Sequence, residues 1–466
     1  MPALIGCGPK FTGSIPGREG DGTPPVPATG QAQVTSLSPS TVAAQSAAFT
    51  LTVNGKNFLP STLVMWDFNT QLATTYISST VLQAQIPASL IAKPGSVSIA
   101  PSPLGSLNFG STLTISAPVL SGNNSFSVIT VPVQAHDMAW DPGSQQIYLS
   151  IASGNGTAPN SITALNPQTG TLGMSVSTGT EPHKLAISSD STFAYVGLDG
   201  AGSVHRYRLP DLQSDIDIPL GSGGYGTYYA IDLAVQPGNP HALAVTRGNE
   251  NMSPREQGGV LIYDDSVARP QSVAGGGSSP GPIDALVWNS DGQSLYGLDT
   301  ETSLNRAYLM SVTSLGVQLQ KQSSDSGSLG RRLHFDATTN YIYSDSGNVI
   351  DPATGGVVAS FPLNSVQGGF NGTSIMVPDG RLNIAYFFGQ TADNQTLNAY
   401  VLAAFDLTHH NLLGAVQVGS VLRTPLKILR WGTSGLAVLT GADYGSGVPD
   451  AGVYILSGAF VTSPAP

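Results

Sequence analysis

Four residues stand at matching places in a repeated pattern and carry side chains capable of chemistry: His136, His183, Asp284 and Arg331. Each opens a segment that reads as an inner strand, so registration sets them around the mouth of a central channel. Two imidazoles and a carboxylate are ligands for a divalent metal, and a guanidinium clamps a carboxylate through parallel hydrogen bonds. The same set suits an anion or a sugar. The plainer alternative is a wet channel mouth, where polar side chains cost little whatever they do. No HxH or HExxH spacing favours a metal, and no cofactor is expected.

A second group lies in and just before Asn249 to Gln257, where Arg247, Glu250, Arg255 and Glu256 concentrate charge in a chain of which only 10% is Asp, Glu, Lys or Arg. Long links between the second and third strands of such a repeat project from one face and form binding surfaces; a solvated loop is the alternative. Asp443 to Ala451 extends the corresponding link near the C-terminus. His409-His410 reads as a surface turn. Asp264-Asp265 offers too few oxygens for calcium, and no DxDxDG loop exists. No Gly-x-Ser-x-Gly sits between a strand and a helix as a nucleophile elbow requires. Gly221 to Gly226 and Gly275-Gly276-Gly277 open no helix, so they read as loops and not as phosphate cradles. The sequons Asn155-Gly156-Thr157 and Asn371-Gly372-Thr373 are expected by chance in a chain this rich in Ser and Thr.

The elements that must position these residues are legible as repeats. One offset separates Trp140 from Tyr148, Ile187 from Tyr195, Trp288 from Tyr296 and Phe335 from Tyr343; Val235 with Leu243 and Arg430 with Val438 keep it with weaker residues. Each pair brackets a polar turn such as Asp141-Pro142-Gly143, which predicts a hairpin of two buried strands. Inner strands are expected near His136, His183, Ile231, Asp284, Arg331, Ser374 and Leu426, a period of roughly 41 to 53 residues that matches a four-stranded blade. Third strands follow, from Ser161 to Leu165 in the first blade to Val453 to Leu456 in the seventh. Ser125 to Val131 matches the outer strands yet precedes the first inner one, so it is expected to complete blade seven and hide the ring's edges.

Upstream, Ser38-Pro39, Gly55, Phe58, Trp66 and Ile86 to Ile91 sit among short alternating segments bounded by Gly, Pro and Asn. Over about residues 33 to 116 this stretch resembles the IPT/TIG family of immunoglobulin-like domains, which implies a binding or spacer module without a catalytic site. Phe58 and Trp66 alternate with polar neighbours and are expected in its core. The later repeats, most plainly Glu181 to Ile187 and Ala194 to Asp199, resemble the YncE-like and NHL-like group of bacterial seven-bladed propellers. The whole arrangement is similar to uncharacterised secreted proteins of soil bacteria, a likeness that implies a fold and no particular chemistry.

Composition agrees with an all-β chain: Gly (55) and Pro (33) are plentiful and charge is scarce, so almost no helix is expected. A net charge of −11 opposes nucleic-acid binding. No run approaches the roughly 18 apolar residues of a membrane-spanning helix. The single Cys excludes an internal disulfide framework, and Leu4-Ile5-Gly6-Cys7 resembles a bacterial lipobox followed by a Gly/Pro/Thr-rich tether. The alternative for Cys7 is an incidental thiol in a tail.

The expected organisation is a tail over residues 1–30, an Ig-like β-sandwich over 31–117 and a seven-bladed β-propeller over 118–466. The expected role is extracytoplasmic, in the periplasm, at the cell surface or secreted. There the chain binds or scaffolds a protein, glycan or envelope component through His136, His183, Asp284, Arg331, Arg247, Glu250 and Arg255, and touches membrane only through lipid on Cys7. The alternatives are a lactonase-like hydrolase or lyase acting at the channel mouth through the first four residues, and a subunit of a surface assembly.

Overall fold

The computed structural model describes residues 30–462 apart from 44–45, 92–94, 103–109, 117–125, 152, 155–156, 252–254, 276–280, 303–304, 324–328, 367, 371–373, 392–399, 420–423 and 442–451. Cys7 and its tether, the link from Asp443 to Ala451, and sequon residues Asn155, Gly156 and Asn371 to Thr373 lie outside the described residues. Two compact units divide the chain, one centred on Phe49–Ile86 and Val97–Leu113, the other on Thr114–Pro466. Among the described residues the only α-helix is Ala459–Thr462, and no helix is long and apolar enough to cross a membrane.

In the N-terminal region, Gln33–Ser38, Phe49–Lys56, Val81–Ile86 and Thr74–Ser78 form an antiparallel sheet in that order. A second sheet orders Thr41–Ala43, Ser111–Ser116, Gly95–Ser102, Leu63–Trp66 and Thr70–Gln71. Alternation decides which residues are buried. Leu51 and Val53 are inside while the polar residues between them are partly exposed, and Phe58 and Trp66 are buried.

The second unit is a β-propeller of seven four-stranded antiparallel sheets. Blade one shows the pattern: Ala135–Asp141, Gln146–Ile151, Ser161–Asn166 and Thr171–Ser177 pair in chain order. The inner strands that follow are Pro182–Ile187, Tyr229–Val235, Ala285–Trp288, Leu333–Asp336, Ile375–Asp379 and Thr424–Trp431. Each packs on its neighbour, and Thr424–Trp431 returns to Ala135–Asp141, which closes the ring. In blade seven the outermost strand is Phe126–Val131, paired antiparallel with Gly452–Gly458, so the first and last strands of the propeller share one sheet.

Second strands are apolar on both faces because each blade lies between two others; Phe193–Leu198 is buried at every residue. The fourth strand of blade one faces water and is mostly exposed. Seven apolar clusters result, one for each pair of adjacent blades. Tyr148, Tyr195, Tyr296, Tyr343 and Tyr386 occupy equivalent places in five second strands. Their rings fill the wedge between blades while their hydroxyls reach partners at its edge, such as the Pro240 carbonyl, 2.6 Å from Tyr195.

Candidate functional site

Strand pairing fixes which segments share the channel mouth. Ala135 faces Ile151 and Ile151 faces Ser161, so the start of each inner strand and the link from second to third strand lie at the same end. His136 and His183 meet there, their rings 5.2 Å apart at 64°. Nδ1 of His136 lies 2.8 Å from the Pro182 carbonyl, and Nδ1 of His183 lies 2.7 Å from Asp199 Oδ2. A carbonyl can only accept, so His136 donates through Nδ1; the Asp199 carboxylate holds His183 in the same sense. Both Nε2 atoms remain for a ligand.

Asp284 lies in an adjoining network. It accepts hydrogen bonds from the Thr300 amide at 2.9 Å and Gln257 Nε2 at 3.2 Å, and burial pushes its carboxyl pKa up. Gln257 also reaches Glu301 at 3.1 Å, and Arg255 joins Glu301 through Nε at 3.3 Å and Glu250 through Nη2 at 3.7 Å. Arg331 stands apart: it precedes the strand Leu333–Asp336, is exposed, and makes no hydrogen bond or ion pair among the described residues. Arg247 turns away from solvent, donating to the carbonyls of Leu220 at 2.6 Å and Gly258 at 3.1 Å with its guanidinium over Tyr228. Its role there is to fasten loops.

Glu256 supplies the other fastening. Its carboxylate accepts the amides of Gly224 at 2.7 Å and Tyr225 at 3.1 Å, and the Asn249 side chain at 2.7 Å. Asn251 adds a bond to the Tyr225 carbonyl, so the Gly-rich loop is pinned with the Tyr225 side chain 58% exposed at its tip.

A set that sequence reading passed over lies one residue beyond the registered four. Asp137, Lys184, Asp232, Ala285, Arg332, Ile375 and Lys427 each precede the apolar residue that anchors an inner strand, so five of seven positions in one tier are ionisable. Asp232, Arg332, His334 and Lys427 line a channel cavity of about 360 Å³. Asp137 accepts from Lys427 Nζ at 2.6 Å, from its neighbour Met138 at 2.8 Å and from the Leu185 amide at 3.1 Å, tying blade one to blades seven and two. Burial would raise its pKa, but Lys427, Arg332 and Lys184 together hold it well below the usual carboxylate range. The signal was present in the sequence, as charge at a constant step past each strand start.

Other candidates have structural partners. Asp264 pairs bidentately with Arg269, and Asp265 accepts from Arg206 and His241, so neither is free for a metal. His409 is an exposed turn residue beside Asp406, while His410 rests edge-on against Phe361. On the outer strands of blade two, His205 lies 2.6 Å from Asp217 and 2.9 Å from Ser214 Oγ, the connectivity of a Ser-His-Asp triad. Asp217 is 70% exposed, so water competes for its charge and the desolvation that makes such a trio effective is missing. Among the described residues no group of three or more His, Cys, Asp or Glu is placed to hold a metal ion.

No family model matches this chain, and no curated protein matches it. Solved structures do. A chain of Kuenenia stuttgartiensis hydrazine synthase superposes with a TM-score of 0.50 at 14% identity, over 72% of this chain and 98% of that one. The β-propeller domain of Myceliophteria thermophila Cps50 (Swd1) gives a TM-score of 0.49 at 11% identity, over 71% and 98%. The WD40 repeats of RRP9 give 0.48 at 11% identity, over 71% and 97%. Likeness at these identities concerns the propeller fold alone.

Proposed function

We propose that this chain is an extracytoplasmic binding protein whose partner, a protein, glycan or envelope component, docks on the channel mouth over blades two to four. The observation that carries this is the pinned, exposed Tyr225. Three hydrogen bonds, two accepted by Glu256 and one donated by Asn251, hold the backbone that carries this exposed ring, next in the chain fold to the Arg255, Glu250 and Glu301 network. An ordered aromatic flanked by arginine has the make-up of a binding hot spot, because little conformational entropy is left to lose. His136 and His183 extend the surface towards the channel, and Arg331, without a partner among the described residues, adds a cation at its rim. Lipidation at Cys7, with an IPT/TIG-like module as spacer beneath a YncE-like propeller, would hold this surface off a membrane.

The test has two parts. Mass spectrometry of the product made from its natural start in a bacterium should find diacylglycerol on Cys7; an unmodified residue ahead of Cys7 rules out the anchor. Envelope extract and a glycan array are then probed with the wild type and with Tyr225→Ser and Arg255→Ala. A partner retained by the wild type should be lost by about tenfold or more in both variants. Equal retention by all three proteins removes the mouth as the binding surface.

A second reading, a hydrolase or lyase at the same mouth, rests on the His183–Asp199 pair, which leaves Nε2 of His183 able to accept a proton.

A further inference from the structure

We propose that the central channel holds a small oxyanion, of carboxylate or phosphate type, between Lys184 of blade two and Arg332 of blade five. The tier of inner-strand charges is the starting point. Charged residues make up only 10% of the chain, yet they fill five of seven equivalent positions here. Local pairing accounts for part of them. Lys427 is matched by Asp137 at 2.6 Å, Arg430 by Asp379 at 2.6 Å, and His334 by Asp345 at 3.0 Å. Lys184, Arg332 and Asp232 are left, and Asp232 already accepts the Leu286 amide at 2.8 Å. Neither the Lys184 ammonium nor the Arg332 guanidinium has a hydrogen-bond or ion-pair partner among the described residues. Two cations without a partner among the described residues therefore remain on this tier of a protein whose overall charge is −11.

Arg332 lines the cavity and Lys184 holds the equivalent position in blade two; both are half-buried, and half-buried cations are costly without a counter-charge. Lys184 feels this: burial first, then Arg332, pushes its pKa down, against the opposing pull of Asp232 and Asp137. An anion between them relieves both groups. Arg332 offers a planar fork that matches two oxygens of a carboxylate or phosphate, and Lys184 offers a point charge from the same tier. The cavity of about 360 Å³ is large enough. At about 30 Å³ per water it has room for an anion of a few heavy atoms and part of its hydration shell. The site is distinct from the Tyr225 surface, so either can exist without the other.

The test is isothermal titration calorimetry of the full chain in chloride-free buffer, with inorganic phosphate in one arm and acetate in the other. Saturable binding of at least one anion is expected, and the stronger arm identifies which oxyanion the channel prefers. Arg332→Gln and Lys184→Met should each weaken it by about tenfold or more, the worth of a charge-assisted hydrogen bond. Arg208→Gln, exposed on the third strand of blade two, should leave it unchanged. Above neutral pH, binding should draw a proton onto Lys184, read as a heat that varies with the ionisation enthalpy of the buffer; a purely structural role for Lys184 would not produce it. The proposal fails if neither anion gives saturable heat up to about 10 mM. It fails equally if Arg208→Gln weakens binding as much as Arg332→Gln. Should one channel variant not fold, the wild-type titration and the other variant decide.

Discussion

Lys427→Met should destabilise the propeller through its closure. Lys427 Nζ lies 2.6 Å from Asp137 Oδ1, and the pair joins the last inner strand to the first. At that distance and an effective dielectric of about 20 the gross attraction is about 6 kcal/mol. Much of it is offset by desolvation, since the Asp137 side chain is only 3% exposed and Lys427 only 20%. Removing one partner from a buried pair typically costs about 3–5 kcal/mol. Arg332 and Lys184 continue to act on Asp137, so the lower end, about 3 kcal/mol, is expected for Lys427→Met. Asp137→Asn should cost more, about 4 kcal/mol, because it leaves Lys427, Lys184 and Arg332 without that charge and disturbs the acceptor of the Leu185 amide. The double variant should cost less than the sum by about 2 kcal/mol. Urea unfolding followed by tryptophan fluorescence suits the measurement, because Trp140 and Trp431 lie 6.4 Å apart across the same junction. Acid supplies a second check. The folded pKa of Asp137 is depressed, so its contribution is present above the unfolded value near 4 and is lost as pH falls towards the folded one. The gap between wild type and variants should therefore narrow on acidification below about pH 4. A cost under about 1 kcal/mol for Lys427→Met, or coupling under about 0.5 kcal/mol, would refute this account of the closure.

Deleting Phe126–Val131 exposes the edge of Gly452–Gly458 and should lower the melting temperature by roughly 10 °C or more; an unchanged melt would mean the pairing contributes nothing. Arg206→Met strips partners from Asp215 and Asp265, bonded at 2.6 and 2.5 Å, and should cost about 3 kcal/mol in urea. Because both carboxyls have depressed pKa values, that loss should shrink as pH falls below about 4. Ser214 should resist a fluorophosphonate probe at neutral pH. Labelling that is abolished by His205→Asn would instead make the blade-two trio a working triad and return a hydrolase to consideration.

Repeats made the propeller readable because strand formation in it is a local matter. Apolar residues on both faces of Phe193–Leu198, a tyrosine at one place in five second strands, and polar turns such as Asp141-Pro142-Gly143 all act within a hairpin. The mouth was only half legible. Registration placed His136 beside His183, but Asp199, which orients His183, arrives from the end of the second strand of blade two. Glu301, which holds Arg255, arrives from blade four. Arg331 and Arg332 look alike in the sequence. One lies on the exposed rim, while the other, a residue nearer the strand Leu333–Asp336, lines the channel cavity.

Period and composition, properties of neighbours along the chain, were enough to set the number of blades, the places of their buried strands and the scarcity of helix. Tertiary structure alone decided which charges find partners. Asp137 meets Lys427 across 290 positions of sequence, while Arg332 is left lining a cavity. Ring geometry sets those distances through the packing of all seven blades, and no local segment of the chain carries that information.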